Sequence, residues 1–489
     1  KAQGQTAGLI LTSDLVGLAL DLPAPLGKAA AQSMALQVEH QADADGGDRI
    51  KARYGHLAQI NAWLPRSGEA RVNLHLGAGE ASEPTAPGLW VNGNLRFLDL
   101  DTWRRQDWSP APGESHAPPL APLRQASLTF GELLIFDRRL HDTHLRLQPS
   151  GKGWSLQVAG KEMTGELVTV PEQGGQRLLA NFKRLALPDP EHTVALTTPN
   201  GSGDGMHLTN VELNVQSLAW KKRELGEMHL RLSPLKTGFQ VDQFQLLPPE
   251  GRLEGKGMVS DHPRRPTQLQ ISLSTRDLGK LLARLGHENA IQGGEAELRG
   301  TLGWMGGPED FATRTLEGDL ELSARKGQFL KVDPGAGRLV GILSLQALPR
   351  RISLDFRDVF SQGFAFDEIA GQIHLERGTA YTKDLRMNGP AAKVRMSGLI
   401  DLAEETQHLS LQIQPRLEDT VAVAGAILGG PAVGLGTLLA NKLLQNPIGQ
   451  AVGFEYAITG TWKDPIITKV PRKAPEPQEA PKPDGLMDQ

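Results

Sequence analysis

No cysteine occurs in the 489 residues. That excludes a disulfide framework, thiolate zinc and iron–sulfur centres, and a cysteine nucleophile. It suits an oxidising compartment, where free thiols are a liability, without excluding the cytosol. Aromatic residues make up only 5% of the chain, and none interleave with basic residues in the manner that stacks bases. Charge of one sign is also lacking: 52 basic residues face 56 acidic ones, for a net charge of -4. Without a basic field, no nucleic-acid partner is expected.

Motifs that carry chemistry are missing as well. His141 and His144, with Asp142 between them, come nearest to a metal cluster. On a strand their odd spacing sends the two imidazoles to opposite faces, so they are read as solvated. Gly335-Ala-Gly337, followed by Gly341, has neither the spacing nor the βαβ context of a dinucleotide loop. Gly201-Ser-Gly-Asp-Gly205 lacks the Lys-Ser/Thr of a phosphate-binding loop, and the adjacent Glu404 and Glu405 read as a solvated turn. No enzyme activity, metal or cofactor is expected.

What is present is alternation, punctuated by 55 glycines and 33 prolines. Apolar residues recur at every second position in Val211, Leu213, Val215 and in Met228, Leu230, Leu232. They do so again in Leu269, Ile271, Leu273, in Leu320, Leu322, Ala324, and in Ile352, Leu354, Phe356. Ile373 and Leu375, Val394 and Met396, then Leu409, Leu411, Ile413 and finally Phe454, Tyr456, Ile458 continue the series. A period of two puts one set of side chains on each face of a sheet, and one apolar and one wet face is the antiparallel pattern. Three stretches, beginning at Phe136, Trp220 and Phe364, repeat the order strand, turn, strand, turn, which argues for one growing sheet.

Helical spacing is rare. Asp277 to Leu285 places Leu278, Leu281, Leu282 and Leu285 on one helical face, and Pro334 to Ala347 suits a second helix. Polar, Pro-rich gaps at Gly77–Pro87, Trp108–Pro122 and Pro188–Gly205 read as surface loops, and Pro471–Gln489 as a disordered tail. Between Asp419 and Lys442 no residue is charged, but Gly429-Gly-Pro431 breaks the run. Two short apolar helices are expected, Val421–Leu428 and Ala432–Gln445, forming a hairpin. Its apolar residues Val421, Val423, Ile427, Leu428, Val433, Leu435, Leu438 and Leu439 either lie on a sheet edge as a lid or touch a membrane.

So few helices leave most of the apolar face without a helical cover. Two arrangements satisfy such a face: a dry sandwich, or a trough left open for acyl chains. Periodicity does not separate them.

Three longer stretches carry a resemblance. The first runs from Gly327 to Arg351 and on through Leu354 to Phe366. The second is Asn388-Gly-Pro-Ala-Ala-Lys-Val-Arg-Met-Ser-Gly398 with Asp401-Leu-Ala-Glu-Glu-Thr-Gln407. The third comprises Gly429-Gly-Pro-Ala-Val-Gly434, Lys442-Leu-Leu-Gln-Asn-Pro447 and Tyr456-Ala-Ile-Thr-Gly-Thr-Trp462. Together they resemble the YhdP family of AsmA-like proteins, with looser agreement at Leu15–Pro25 and Leu98–Trp103.

The resemblance implies a periplasmic, bridge-like lipid transport protein, similar to chorein-type proteins and anchored to the inner membrane. Its fold would be a long twisted antiparallel β-sheet curled into an open hydrophobic groove. The groove would occupy residues 1–415 and the apolar hairpin 416–450, at a membrane-proximal, outer-membrane end. Closing strands would follow at 451–470 and the tail at 471–489. The alternating apolar residues named above would line the groove and hold phospholipid acyl chains. The chain opens on Lys1, so the inner-membrane anchor and exporting segment are expected upstream. A reading from another class is a structural or assembly factor for outer-membrane proteins, with a dry β core.

Overall fold

A computed structural model describes residues 8–42, 46–106, 122–188, 208–220, 223–307, 310–330, 364–390, 392–415, 454–462 and 465–470. Among these, strands dominate, as the alternation predicts. The chain divides into two compact units, the first built mainly from residues up to Thr275 and the second mainly from Thr313 onward.

The first unit contains β1 (Gly8–Ser13), β2 (Leu36–Ala42), β3 (Asp48–Tyr54), β4 (Ala58–Leu64), β5 (Arg71–Gly77) and β6 (Gly88–Asp99). The short helix α1 (Leu100–Arg105) follows. Then come β7 (Leu123–Ile135), β8 (Arg138–Ser150), β9 (Gly153–Ala159), β10 (Met163–Glu172) and β11 (Gly175–Leu187). The series ends with β12 (Leu208–Trp220), β13 (Arg223–Leu235), β14 (Gly238–Leu247), β15 (Gly251–Ser260) and β16 (Pro266–Thr275).

Each of these strands pairs with the next in sequence. The expectation of a purely antiparallel sheet needs correction, because β5–β6, β6–β7 and β11–β12 are parallel. A parallel neighbour requires the chain to return across the sheet before pairing. The three Pro-rich gaps seen in the sequence fall at these three joins, so their length serves the crossover.

Helix α2 (Leu278–Arg284) lies within the expected helix and buries Leu281. After it, β17 (Ile291–Met305) gives its first part to the second unit and its last to the first. The second unit continues with β18 (Glu317–Phe329), β19 (Phe364–Glu376), β20 (Thr379–Asn388), β21 (Ala392–Asp401), β22 (Thr406–Pro415), β23 (Phe454–Gly460) and β24 (Pro465–Lys469). From β18 onward, neighbours in sequence pair antiparallel.

The three repeated stretches are meanders. β8, β13 and β19 each have 13 residues, and each is followed by a two-residue turn and a shorter strand. Several turns are tight. Phe136 and Asp137, joining β7 to β8, have φ of 51° and 56°. That is the mirror-image geometry that matches strand twist but strains non-glycine residues. Asp101 of α1 pins this turn, its buried carboxylate accepting from the Phe136 N–H at 2.9 Å and the Asp137 N–H at 2.7 Å.

Helix α1 is absent from the sequence expectations. Its six residues are too few to show a 3.6-residue period. The available signal was a cap: Asp99 accepts from the Thr102 N–H, with Asp101 in the first turn and Arg104 and Arg105 in the last. Several expectations lie outside the described residues: the helix at 334–347, the strand of Ile352, Leu354 and Phe356, the apolar hairpin, the tail, and most of the loops at 108–122 and 188–205.

Candidate functional site

Because a strand's side chains alternate between faces, strand register decides whether apolar residues on different strands meet. In the first unit they meet without a break. One row of directly paired residues runs Leu11, Val38, Ala52, Ile60, Leu74, Val91, Ala126 and Leu147 across β1 to β8. It continues through Leu156, Leu167, Ala180, Leu213, Leu230, Phe244, Gly255 and Ile271 across β9 to β16. The row crosses every strand from β1 to β16 and meets no polar side chain.

A second row on the same face passes through Leu76, Gly93, Leu128, Leu145, Val158, Gly165, Phe182, Val215, Met228, Leu246, Leu253 and Leu273. The opposite face is polar in equal register: Arg146, Gln157, Glu166, Asn181, Asn214, His229, Gln245, Glu254 and Ser272 stand in line from β8 to β16. Hydrogen bonds run along it, from the Asn214 amide to Asn181 at 3.0 Å and from the Gln245 amide to Glu254 at 3.1 Å.

Both rows are mostly half-buried, and they differ chiefly in β12 and β13. Val215 is 1% exposed, and Phe182 and Met228 are buried beside Leu185 and Leu218. In the first row only Ala180 and Gly255 are buried; Leu74, Leu147, Leu167, Leu213, Leu230 and Ile271 are half-buried, and Ile60 and Leu11 are exposed. A dry second layer would drive such aliphatic side chains to full burial.

The connection after β5 lies against the wet face. Asn61 donates to the Ala81 carbonyl at 2.6 Å, Asn73 to the Ser82 carbonyl at 3.0 Å, and Lys51 pairs with Glu83. This loop therefore does not cover the apolar face of β3–β5, where the Tyr54 hydroxyl donates to the Leu26 carbonyl at 3.1 Å.

In the second unit Ala324, Ile369, Met387, Val394 and Ile413 pair across β18 to β22, and Leu385, Met396, Leu411 and Tyr456 across β20 to β23. Burial pushes the Tyr456 phenol above its ordinary pKa, so it stays neutral on that face.

The described residues singled out from sequence thus fall on one face within each unit. Val211, Leu213 and Val215 sit directly opposite Leu232, Leu230 and Met228, and Leu269, Ile271 and Leu273 lie on the same face of β16. Leu320, Leu322, Ile373, Leu375 and Leu409 share the apolar face of the second unit. Sequence reasoning missed the first-unit members before β12, such as Leu74, Leu147 and Leu167. Their alternation was as visible as that of the others. His141 and His144 engage separate partners, the first Glu162 at 3.0 Å and the second Thr129 at 3.0 Å.

Among the described residues, no helix is long and apolar enough to cross a membrane. The family described as YhdP protein matches residues 1–467. The chain is 24% identical over 500 residues to a protein named intermembrane phospholipid transporter YhdP from Escherichia coli (strain K12). The match covers 96% of this chain and 38% of that relative. No solved structure matches significantly.

Proposed function

The chain belongs to the YhdP family, and on that premise we propose that its apolar face is an open groove that carries phospholipid acyl chains between the membranes of the bacterial envelope. The observation that supports this reading is the unbroken, half-exposed row from Leu11 to Ile271. Each methylene of an acyl chain gains about 0.8 kcal/mol on leaving water. A lining with no polar gap lets the chain advance from strand to strand, about 4.8 Å at a time, without surrendering that gain. Head groups stay in water at the open side, so no head-group pocket is needed.

The residues expected from sequence to line the groove, from Val211 to Ile413, hold the acyl chains in this reading. The protein works in the periplasm, tied to the inner membrane, and is a carrier rather than an enzyme. The apolar face of each unit serves as groove, and the apolar stretch at 416–450 touches the outer membrane.

Extraction of lipid from the purified protein, with native mass spectrometry, tests the reading. Co-purified phospholipid is expected in the wild type. In Leu230→Asp, which sets a carboxylate in the middle of the row, less lipid is expected at unchanged circular dichroism. A lipid-free wild type would favour the structural role with a dry core.

A further inference from the structure

Three phenylalanines on these faces stand directly opposite glycines. Phe182 pairs with Gly165, Phe244 with Gly255 and Phe366 with Gly327. Glycine inside a strand is destabilising and marks a place where something approaches closely. At Gly165 a side chain would also strike the backbone of Asn181 and Phe182, so strand geometry alone accounts for that glycine.

Gly255 is different. Its φ is ordinary, and a Cβ there would lie no closer than 3.7 Å to the nearest backbone atom of a paired strand, the Gln270 carbonyl oxygen. The only close neighbour is the Phe244 ring, whose Cδ1 would be 3.2 Å away. At Gly327 too, the atoms nearest to such a Cβ belong to a phenylalanine ring, that of Phe366. At Gly255, then, what a side chain would have to displace is the Phe244 ring and not a backbone.

We propose that Gly255 is a seat that lets the Phe244 ring lie down along the sheet, and that this keeps the acyl-chain path open between Leu230 and Ile271. The inference rests on the lipid-carrying reading above. Phe244 and Gly255 lie in the open row itself, with Leu230 before them and Ile271 after. A phenyl ring standing upright there would project into the path as no aliphatic neighbour does. With the neighbouring position empty the ring tips sideways and adds apolar surface without height. Gly255 and Phe244 are thus positioning residues that set how bulky a chain passes this point.

The test uses the whole 489-residue chain, loaded from vesicles of phosphatidylethanolamine and phosphatidylglycerol. A photo-crosslinking residue is placed at Ile271, beside the seat, or at Leu156, far along the row. In Gly255→Val the expected result is a several-fold loss of lipid crosslinking at Ile271, with Leu156 and the thermal midpoint little changed. Adding Phe244→Ala to the same chain should restore the Ile271 signal, because the raised ring is gone. Gly255→Ala serves as the milder variant should valine impair folding, with a smaller loss of the same sign.

Undiminished labelling at Ile271 in folded Gly255→Val overturns the proposal. So does a loss that Phe244→Ala does not repair, since that would assign Gly255 to strand geometry. If the wild type labels at neither position, the lipid-carrying reading itself fails, which is a different result from labelling that Gly255→Val leaves intact.

Discussion

At the scale of single residues, the fold depends on a few carboxylates that hold strained or open-ended backbone. Asp101 is 8% exposed and accepts the N–H groups of Phe136 and Asp137 in a turn that favours glycine. Asp101→Ala leaves two sheltered donors without an acceptor. It should cost about 2 kcal/mol, with Asp101→Asn costing less because one acceptor oxygen remains. The thermal midpoint of the purified chain checks the order. Asp277 acts similarly at the start of α2, where its carboxylate accepts from the Lys280 N–H at 3.0 Å. That bond, with the Lys280 ammonium, holds its pKa below the ordinary carboxylate value. The contribution is therefore fully present above the unfolded pKa of about 3.9 and is lost as pH falls through the lower folded value. The protection of residues 278–284 against hydrogen exchange, taken relative to the intrinsic rate at each pH, should fall below about pH 4 in the wild type. Asp277→Ala should show the lower protection at neutral pH as well, a loss of about 1 kcal/mol. Asp277 was legible in the sequence as a helix start because leucines at helical spacing follow it. Asp101 was not, because its partners lie more than thirty positions away and only the fold brings them to it.

At the scale of elements, alternation located strands but not rows. Val211, Leu213 and Val215 read plainly as one face of a strand. That Leu218 is buried as well could not be read, because an irregularity between Val215 and Leu218 shifts the phase. Nor does alternation tell an open row from a packed one, since both use the same aliphatic residues. Burial separates them: Val215 is 1% exposed within a cluster, whereas Leu213, two residues away, is half-buried. The expected consequence inverts the usual ranking by size. Val215→Ala should cost about 2 kcal/mol, while the larger truncation Leu213→Ala should cost about 1 kcal/mol, because solvent already reaches the leucine and little cavity is left. Local hydrogen exchange across β12 and β13 reads both without requiring the whole chain to unfold in one step. Equal or reversed costs would indicate a second layer over the row and so a dry core. The parallel joins were illegible for a related reason. The Pro-rich gaps announced long connections, but a long connection between strands permits either direction of pairing.

At the scale of the molecule, on the proposed lipid-carrying reading the row behaves either as one path or as many pockets, and obstruction kinetics separate the two. If chains of lipid enter and leave independent pockets, blocking one pocket removes only its share, and blocking two removes the sum. If the row is one path, obstructions act in series, and the first is already sufficient. Leu74 on β5 and Leu230 on β13 belong to the same row eight strands apart, both half-buried. A carboxylate at either carries a desolvation cost that a passing acyl chain must meet. Leu74→Asp and Leu230→Asp should therefore each depress exchange of a fluorescent phospholipid between vesicles by a similar factor, about tenfold for 1.4 kcal/mol of added barrier. The double variant should be slowed by little more than either alone. The matched wet-face changes Asn92→Asp and Asn214→Asp should leave the rate unaltered, because in the proposed reading those positions face away from the lipid. Losses that simply add between Leu74→Asp and Leu230→Asp would break the row into separate sites. The same apolar alignment would then serve as lipid storage and not as a conduit.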